Sequence, residues 1–414
     1  MKRRIAAVAV AGACIALTLT ACGGRNDKGA SASGCDTGIT DSEINLGTSV
    51  PMSGAGAAYG VLAKTAQAYF DDLNADGGVK MGDGKTRKIK YFTEDDAYDP
   101  ARTVSNVRKL VEQDKVFAIY SVLGTSPNLA ISDYVNGKGI PTLFSQTGTD
   151  EFLNNTKEKP WIVGYLPQYQ FEAHVMAQYV LDNAPNGKVG LLYQNDGFGK
   201  GMLANFEKEF KGTSVQIVGS QGYEQSGGSI DSQIVNLQNS GADVFLDYAT
   251  GTFMTQSLKK KGELGWHPLT ILTSGSNDAT TLVGPAGAEA TNGAVSFKWM
   301  KDVSDTSWTD DAGMKKWIAF ATKHSVDPMN GIASSGYMTT QVLQKVLENT
   351  NGCKRQDMLD AVYSLSGVTP DLILPGVAIE TKKGYPYILT QVQMSKFDGA
   401  HWKPEGKIIK HGDK

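Results

Sequence analysis

The chain has 414 residues, of which 41% are hydrophobic, and a formal net charge of −3. That length exceeds one ordinary domain and leaves ample apolar content for sizeable cores. The near-balanced charge, with no basic run beyond Lys259-Lys260-Lys261, argues against a nucleic-acid partner, which needs a basic footprint.

The N-terminus carries a strong signal. Lys2-Arg3-Arg4 is a positive start, Ile5–Leu19 is apolar or small, and Leu19-Thr20-Ala21-Cys22 follows. This pattern predicts a secretory signal peptide over 1–21, too short for a spanning helix. Leu-x-Ala-Cys resembles the bacterial lipoprotein signal, in which the Cys becomes the lipidated N-terminus; an ordinary signal with a chance Cys is the alternative. Stable anchoring then follows from more than one acyl chain on Cys22. After Cys22, residues 23–34 (GGRNDKGASASG) have no apolar periodicity and predict a flexible, lipid-anchored tether over 22–42. Beyond residue 22 no stretch is apolar enough to span a membrane. The four cysteines are Cys14, Cys22, Cys35 and Cys353. With the first in the signal and the second lipidated, an even pair is left in an oxidising compartment, which predicts a Cys35–Cys353 disulfide. No Cys or His stands at metal-ligand spacing beside either, so no metal site is expected.

From Ile44 strands and helices alternate. Ile44–Val50 is a strand, Pro51–Gly60 a Gly-rich loop, and Val61–Asn74 a helix with Ala66, Tyr69, Phe70 and Leu73 on one face. Lys88–Thr93 is a second strand. Asp99-Pro100 places an N-cap before a Pro at the first helical position of Ala101–Gln113. Next come the runs Val116–Val122 and Ile140–Ser145, joined by a helix at Pro127–Val135. This is a β-α-β unit, so its strands are parallel neighbours. Their carboxyl ends open into Gly124-Thr125-Ser126 and Thr147-Gly148-Thr149, where open α/β sheets bind ligands. The bland alternative is a pair of turns rich in small residues.

After a strand at Trp161–Leu166 the alternation restarts. Strands are expected at Lys188–Tyr193, Ser214–Ser220, Val244–Tyr248, Leu269–Thr273 and Gly293–Phe297. Helices are expected at Gln170–Asp182, Gly199–Phe210, Ile230–Asn239, Phe253–Leu264, Met314–His324, Ser334–Asn349 and Met358–Leu365. Tyr387–Met394 and His401-Trp402 form a hairpin with its turn at Asp398-Gly399. Two α/β halves result, breaking near Gly164 and Gly293, with a cleft between two parallel sheets as the natural ligand site.

No catalytic constellation stands out. Gly54-Ala55-Gly56-Ala57-Ala58-Tyr59-Gly60 misses the dinucleotide fingerprint because Tyr59 fills the third Gly slot, and the acids Glu94-Asp95-Asp96 lie too far on. No Ser sits in a nucleophile elbow, and the five histidines are scattered. The three acids suit a solvated strand end and helix cap better than a catalytic pair.

Several segments together carry a family resemblance: INLGTSVPMSGAGAAYG at 44–60, AYFDDLNADGGVK at 68–80, EDDAYDPARTV at 94–104, GIPTLFSQTGTDEF at 139–152, KVGLLYQNDGFGKG at 188–201 and SGADVFLDYATGTF at 240–253. Over roughly residues 43–400 the chain resembles the leucine/isoleucine/valine-binding group of substrate-binding lipoproteins of ABC importers. The resemblance implies the type I periplasmic-binding-protein fold: α/β, two Rossmann-like lobes with parallel sheets joined by a hinge. Lobe 1 would comprise 43–164 with about 294–370, and lobe 2 165–293 with about 371–405. It implies no cofactor and no catalysis.

Residue by residue, the family's aromatic after the first loop matches Tyr59. Its carboxylate-holding donor matches Gly124, which lacks the usual hydroxyl, so Thr125 or Ser126 would supply one. Thr147 and Thr149 match the groups that hold the ligand's amino end, and Phe198 matches the second-lobe aromatic of Y/F-G-x-G. Gln168 and Tyr169 follow as wall residues. Two positions depart from the pattern: the second-lobe Tyr falls near Gly251-Thr252, and the Glu that pairs with an α-ammonium falls near Gly275 in LTSGSND. Asp278 or Asp247 could take its place; otherwise an amide, carboxylate or aromatic ligand fits as well. The expectation is therefore a monomeric, membrane-tethered receptor that delivers a small polar molecule to an ABC permease. The rivals are a sensory module for a membrane signalling partner and an extracellular enzyme on the same fold.

Overall fold

The computed structural model describes residues 34–154 and 156–413. The signal segment 1–21, Cys22 and the first part of the tether lie outside the described residues.

The first sheet is built in the N-terminal part of the chain. Its elements are β1 (Glu43–Val50), α1 (Val61–Ala75), β2 (Val79–Lys80), β3 (Thr86–Asp95), α2 (Pro100–Glu112), β4 (Ala118–Tyr120), α3 (Thr125–Lys138), β5 (Thr142–Ser145), α4 (Glu151–Asn154) and β6 (Ile162–Gly164). Strand order is β2-β3-β1-β4-β5-β6. β1, β3, β4, β5 and β6 are parallel, and only β2 runs antiparallel, against β3. The inner strands are short apolar runs buried on both faces, as parallel strands covered by helices must be. α2 starts where Asp99 accepts from the N–H groups of Ala101 and Arg102 with Pro100 behind it.

The second sheet draws on α5 (Tyr169–Asn183), β7 (Lys188–Gln194), α6 (Gly197–Phe210), β8 (Gln216–Tyr223), α7 (Asp231–Asn239), β9 (Val244–Tyr248), α8 (Thr252–Glu263), β10 (Leu269–Leu272), α9 (Ala288–Thr291) and β11 (Val295–Lys298). The chain then forms α10 (Ala312–Lys323), α11 (Gly331–Asn349) and α12 (Arg355–Val362), and closes with β12 (Gln391–Phe397) and β13 (Trp402–Lys410). The order is β13-β12-β11-β10-β9-β7-β8, with β12 and β13 antiparallel at one edge. α10 and α11 return to the first sheet's helices. A Cβ on Gly336 of α11 would lie 3.2 Å from the Leu62 carbonyl of α1, and Tyr69 packs edge-on against Tyr337 at 5.5 Å.

Two crossovers lie elsewhere than the sequence pattern suggests. Val295 pairs with Ile271 on one side and Lys396 on the other, so β11 belongs to the second sheet and the chain leaves it after Lys298, not at Gly293. Gly293, with φ of +84°, makes the turn into β11 rather than a break between halves. The stretch before β12 is joined to the first half at Pro386 and Tyr387: Tyr387 bridges Gly164, and Gly164 N–H donates to Pro386 O at 2.7 Å. This stretch has isolated bridges and no periodicity, so pattern alone misassigns it. The first strand of the closing hairpin, β12, accordingly begins at Gln391, not Tyr387.

The tether also ends earlier than residue 42. Cys35 is disulfide-bonded to Cys353. Asp36 N–H donates to Cys353 O at 3.0 Å, and its carboxylate accepts from Arg355 N–H at 2.8 Å. Ile39 is buried and bridges Ile44. No helix among the described residues is long and apolar enough to cross a membrane.

Candidate functional site

A cavity lies between the two sheets. Much of its wall comes from the carboxyl ends of parallel strands: Tyr59 beyond β1, Tyr98 beyond β3, Leu123 to Thr125 beyond β4, Gln146 beyond β5, Phe198 beyond β7, Thr250 beyond β9, Thr273 to Gly275 beyond β10, and Lys298 at the end of β11. Backbone groups are unpaired and side chains converge at such ends, which is why open α/β sheets bind there.

Tyr98 is placed by the acids the sequence offered as a solvated strand end. Asp95 accepts from Met52 N–H at 2.8 Å, Ser53 Oγ at 2.6 Å and Ala97 N–H at 2.9 Å. Asp96 is fully buried, not solvated, and takes Ser49 Oγ at 2.7 Å, Thr103 Oγ1 at 3.0 Å and Tyr98 N–H at 2.9 Å. Burial raises its carboxyl above the ordinary range, and these hydrogen bonds oppose the shift. The anchors hold Ala97 and Tyr98 at φ of +49° and +64°, a conformation costly for non-glycine residues. The Tyr98 ring then lies so close to Gly124 that a Cβ there would sit 2.4 Å from it; Gly124 itself has φ of +98°. Only glycine meets both conditions at the start of α3.

Several contacts tie the halves together around the cavity. Tyr59 Oη lies 2.6 Å from Ser276 Oγ and accepts from Gly251 N–H at 3.2 Å. Ser126 Oγ donates to Asp196 at 3.1 Å, and Tyr98 Oη reaches the same carboxylate at 3.3 Å. Asp196 also caps α6 through Phe198 and Gly199 N–H, which brings the Phe198 ring to 5.1 Å from Tyr169. Burial pushes the hydroxyls of Tyr59 and Tyr98 up, so both stay neutral donors.

Of the sequence-derived candidates, the cavity collects Tyr59, Gly124, Thr125, Tyr169, Phe198 and Gly275. The others do not line it, and Ser126, Thr147 and Gln168 have their side-chain polar atoms committed within the protein. Ser126 spends its hydroxyl on Asp196. Thr147 sits one layer behind, with Oγ1 2.8 Å from Thr125 Oγ1 and 3.2 Å from Tyr169 Oη. Thr149 lies against Tyr387, whose hydroxyl donates to its carbonyl. Gln168 bridges Asp150 and Tyr385 at 2.8 and 3.1 Å. Thr252 is the exposed first residue of α8. The Gly124 N–H donates to Gln146 O at 3.2 Å, so it is engaged rather than open.

Of the two acids named in place of the missing Glu, Asp247 lies away from the cavity and Asp278 is on its wall, engaged with neutral donors. Asp247 is buried away from the cavity with Ser257 and Ala249 N–H, and burial pushes its carboxyl up to about 7. Asp278 reaches the wall, but one oxygen accepts from Thr280 and Thr281 and the other from Gly331 N–H at 2.7 Å. The sequence reading missed Tyr98, Glu172, Lys298 and the apolar wall of Leu62, Leu123, Leu166, Leu282, Met300 and Ile332. Applying the carboxyl-end rule to β3 and β11 would have found Tyr98 and Lys298; Glu172 gave no signal, since it lies inside an ordinary amphipathic helix. Among the described residues no cluster of three or more His, Cys, Asp or Glu could hold a metal ion.

The profile of the periplasmic binding protein family matches residues 43–393. The Leu/Ile/Val-binding protein homolog 8 of Brucella abortus is 22% identical over 387 residues, covering 89% of this chain and 90% of that one. A branched chain amino acid ABC transporter from Thermus thermophilus, solved with bound valine, superposes with a TM-score of 0.77 at 15% identity, over 90% of this chain and 98% of that one. A fatty acid ABC transporter substrate-binding protein from Thermomonospora curvata gives a TM-score of 0.76 at 19% identity, over 92% and 96%. With two mostly parallel α/β sheets flanking a cavity at their strand ends, and a profile spanning most of its length, the chain belongs to the periplasmic binding protein family.

Proposed function

We propose that this protein is an extracytoplasmic solute receptor, held at the membrane as a monomer by a lipid on Cys22, which captures a small organic molecule and passes it to an ABC importer. The observation that carries this reading is the cavity walled by strand ends of both sheets, with contacts between the halves closing around it. Three crossovers join the halves, so hinge bending would open the site without disturbing either core. The chain's own Leu, Met and Ile wall suits a ligand with an apolar body, consistent with relatives named for branched-chain amino acids and for a fatty acid.

Unfolding and refolding the protein should strip any carried ligand. Melting is then followed with amino acids, amides, and aliphatic and aromatic carboxylates. A true ligand at a hundred times its Kd adds about 2.7 kcal/mol, a rise of several degrees. A melting point unmoved by every class would sink the receptor reading. For the anchor, Cys22→Ser should move the protein from the membrane to the soluble fraction; unchanged membrane association would exclude Cys22 as the attachment point.

A further inference from the structure

The charged groups of the cavity wall are Glu172, Asp278, Lys298, Lys301 and Asp302. Lys301 is ion-paired, and the three acids each accept hydrogen bonds from neutral groups of the protein on both oxygens. Glu172 accepts from Ser274 N–H at 3.1 Å, Ser274 Oγ at 2.6 Å and Thr273 Oγ1 at 3.1 Å. Asp278 is occupied as described above. Asp302 accepts from Ser304 N–H at 3.0 Å, Ser304 Oγ at 2.8 Å and Trp402 N–H at 2.8 Å. Lys301 pairs with Asp311 at 2.7 Å and donates to Asp371 O at 3.0 Å.

Lys298 differs. Its ammonium donates to Asn277 Oδ1 at 2.9 Å and, weakly, to Asn277 O at 3.4 Å, and it stands 5.6 Å from the centre of the Trp402 ring. Among the described residues no carboxylate lies within 4.0 Å of it. An ammonium has three donors, and a neutral amide does not balance its charge. We infer that Lys298 is the anchor for an anionic ligand group, and that the ligand is a carboxylic acid with an apolar body, carrying no ammonium that the site must neutralise. The inference rests on the reading of the cavity as the ligand site. Burial also presses the Lys298 ammonium toward the neutral form, opposed by Asp302 and Asp278, so an incoming carboxylate relieves a group held at a disadvantage. Each wall carboxylate already accepts hydrogen bonds from the protein on both oxygens, while Leu62, Leu123, Leu166, Leu282, Met300 and Ile332 accept a hydrocarbon body.

The test is isothermal titration of the stripped full-length protein with pairs of straight-chain, branched and aromatic acids and their primary amides, with leucine alongside. The acid of a binding pair should be at least tenfold tighter than its amide, and leucine should be no tighter than 4-methylpentanoate, its analogue without the amine. Lys298→Met should cost that acid at least tenfold and remove its preference over the amide, with the parental melting point of the unliganded protein showing the fold intact; Lys298→Arg should keep the acid preference. Equal binding of acid and amide, tightest binding of leucine, or full acid affinity in Lys298→Met would overturn the anchor and leave the cavity reading standing. Binding by none of the compounds would overturn both.

Discussion

Cys353→Ser is expected to lower the unfolding free energy by about 4 kcal/mol. The disulfide joins residues 318 apart, so it closes most of the described chain into one loop and removes much of the freedom of the unfolded state. Its partner contacts are modest by comparison: one backbone hydrogen bond from Asp36 to Cys353, and the Asp36 carboxylate with Arg355 N–H and Lys354. These alone cannot replace a covalent link between the N-terminal arm and the start of α12. Equilibrium urea unfolding of the variant and the parent, both without added reductant, measures the difference. Coincident transitions would show that the arm adds nothing to the stability of the lobes and merely hangs from them.

Gly148→Ala is expected to cost roughly 3 kcal/mol and to weaken ligand binding at least tenfold. Gly148 lies in the loop after β5, where the chain from β6 crosses to the second half directly over it. A Cβ would sit 2.0 Å from Pro167 O and 2.9 Å from Tyr169 Cδ1. The first of these is backbone in the crossover and cannot rotate away. Tyr169 N–H also donates to Gly148 O at 2.7 Å, so relief on one side breaks the contact on the other. Because Tyr169 lines the cavity and packs on Phe198, the displacement reaches the ligand wall. Urea unfolding and ligand titration of the same preparation separate the two effects. A variant with parental stability and affinity would mean the crossover is loose at this point, against the geometry.

The alternation of strand and helix was legible because its causes are local. Asp99-Pro100 starts α2 by capping and fixed φ, and β9 coincides with the run Val244–Tyr248, since short β-branched and aromatic segments buried on both faces have few other choices. The two loops after β4 and β5 could be placed at strand carboxyl ends from the β-α-β pattern alone. What each loop residue does there could not. Thr125 faces the cavity while Ser126 turns to Asp196 and Thr147 backs Thr125, and those outcomes depend on partners 70 and 22 residues away.

Two α/β halves, their strand and helix content, and a family resemblance carried by motif order could be read from the chain alone. Those depend on local periodicity, turn chemistry and charge, which a chain states residue by residue. Only the tertiary structure decided where the chain crosses between sheets, because β11 pairs with β10 and with β12 about a hundred residues later, and Tyr387 with Gly164. It also decided which charges are spent. Asp278 and Glu172 look as available in the sequence as Lys298, yet both oxygens of each accept from Gly331, Thr281, Ser274 or Thr273, whereas the Lys298 ammonium meets only a neutral amide and an aromatic ring. Satisfaction of a buried polar group is a sum over distant neighbours, and that sum exists only once the chain has folded.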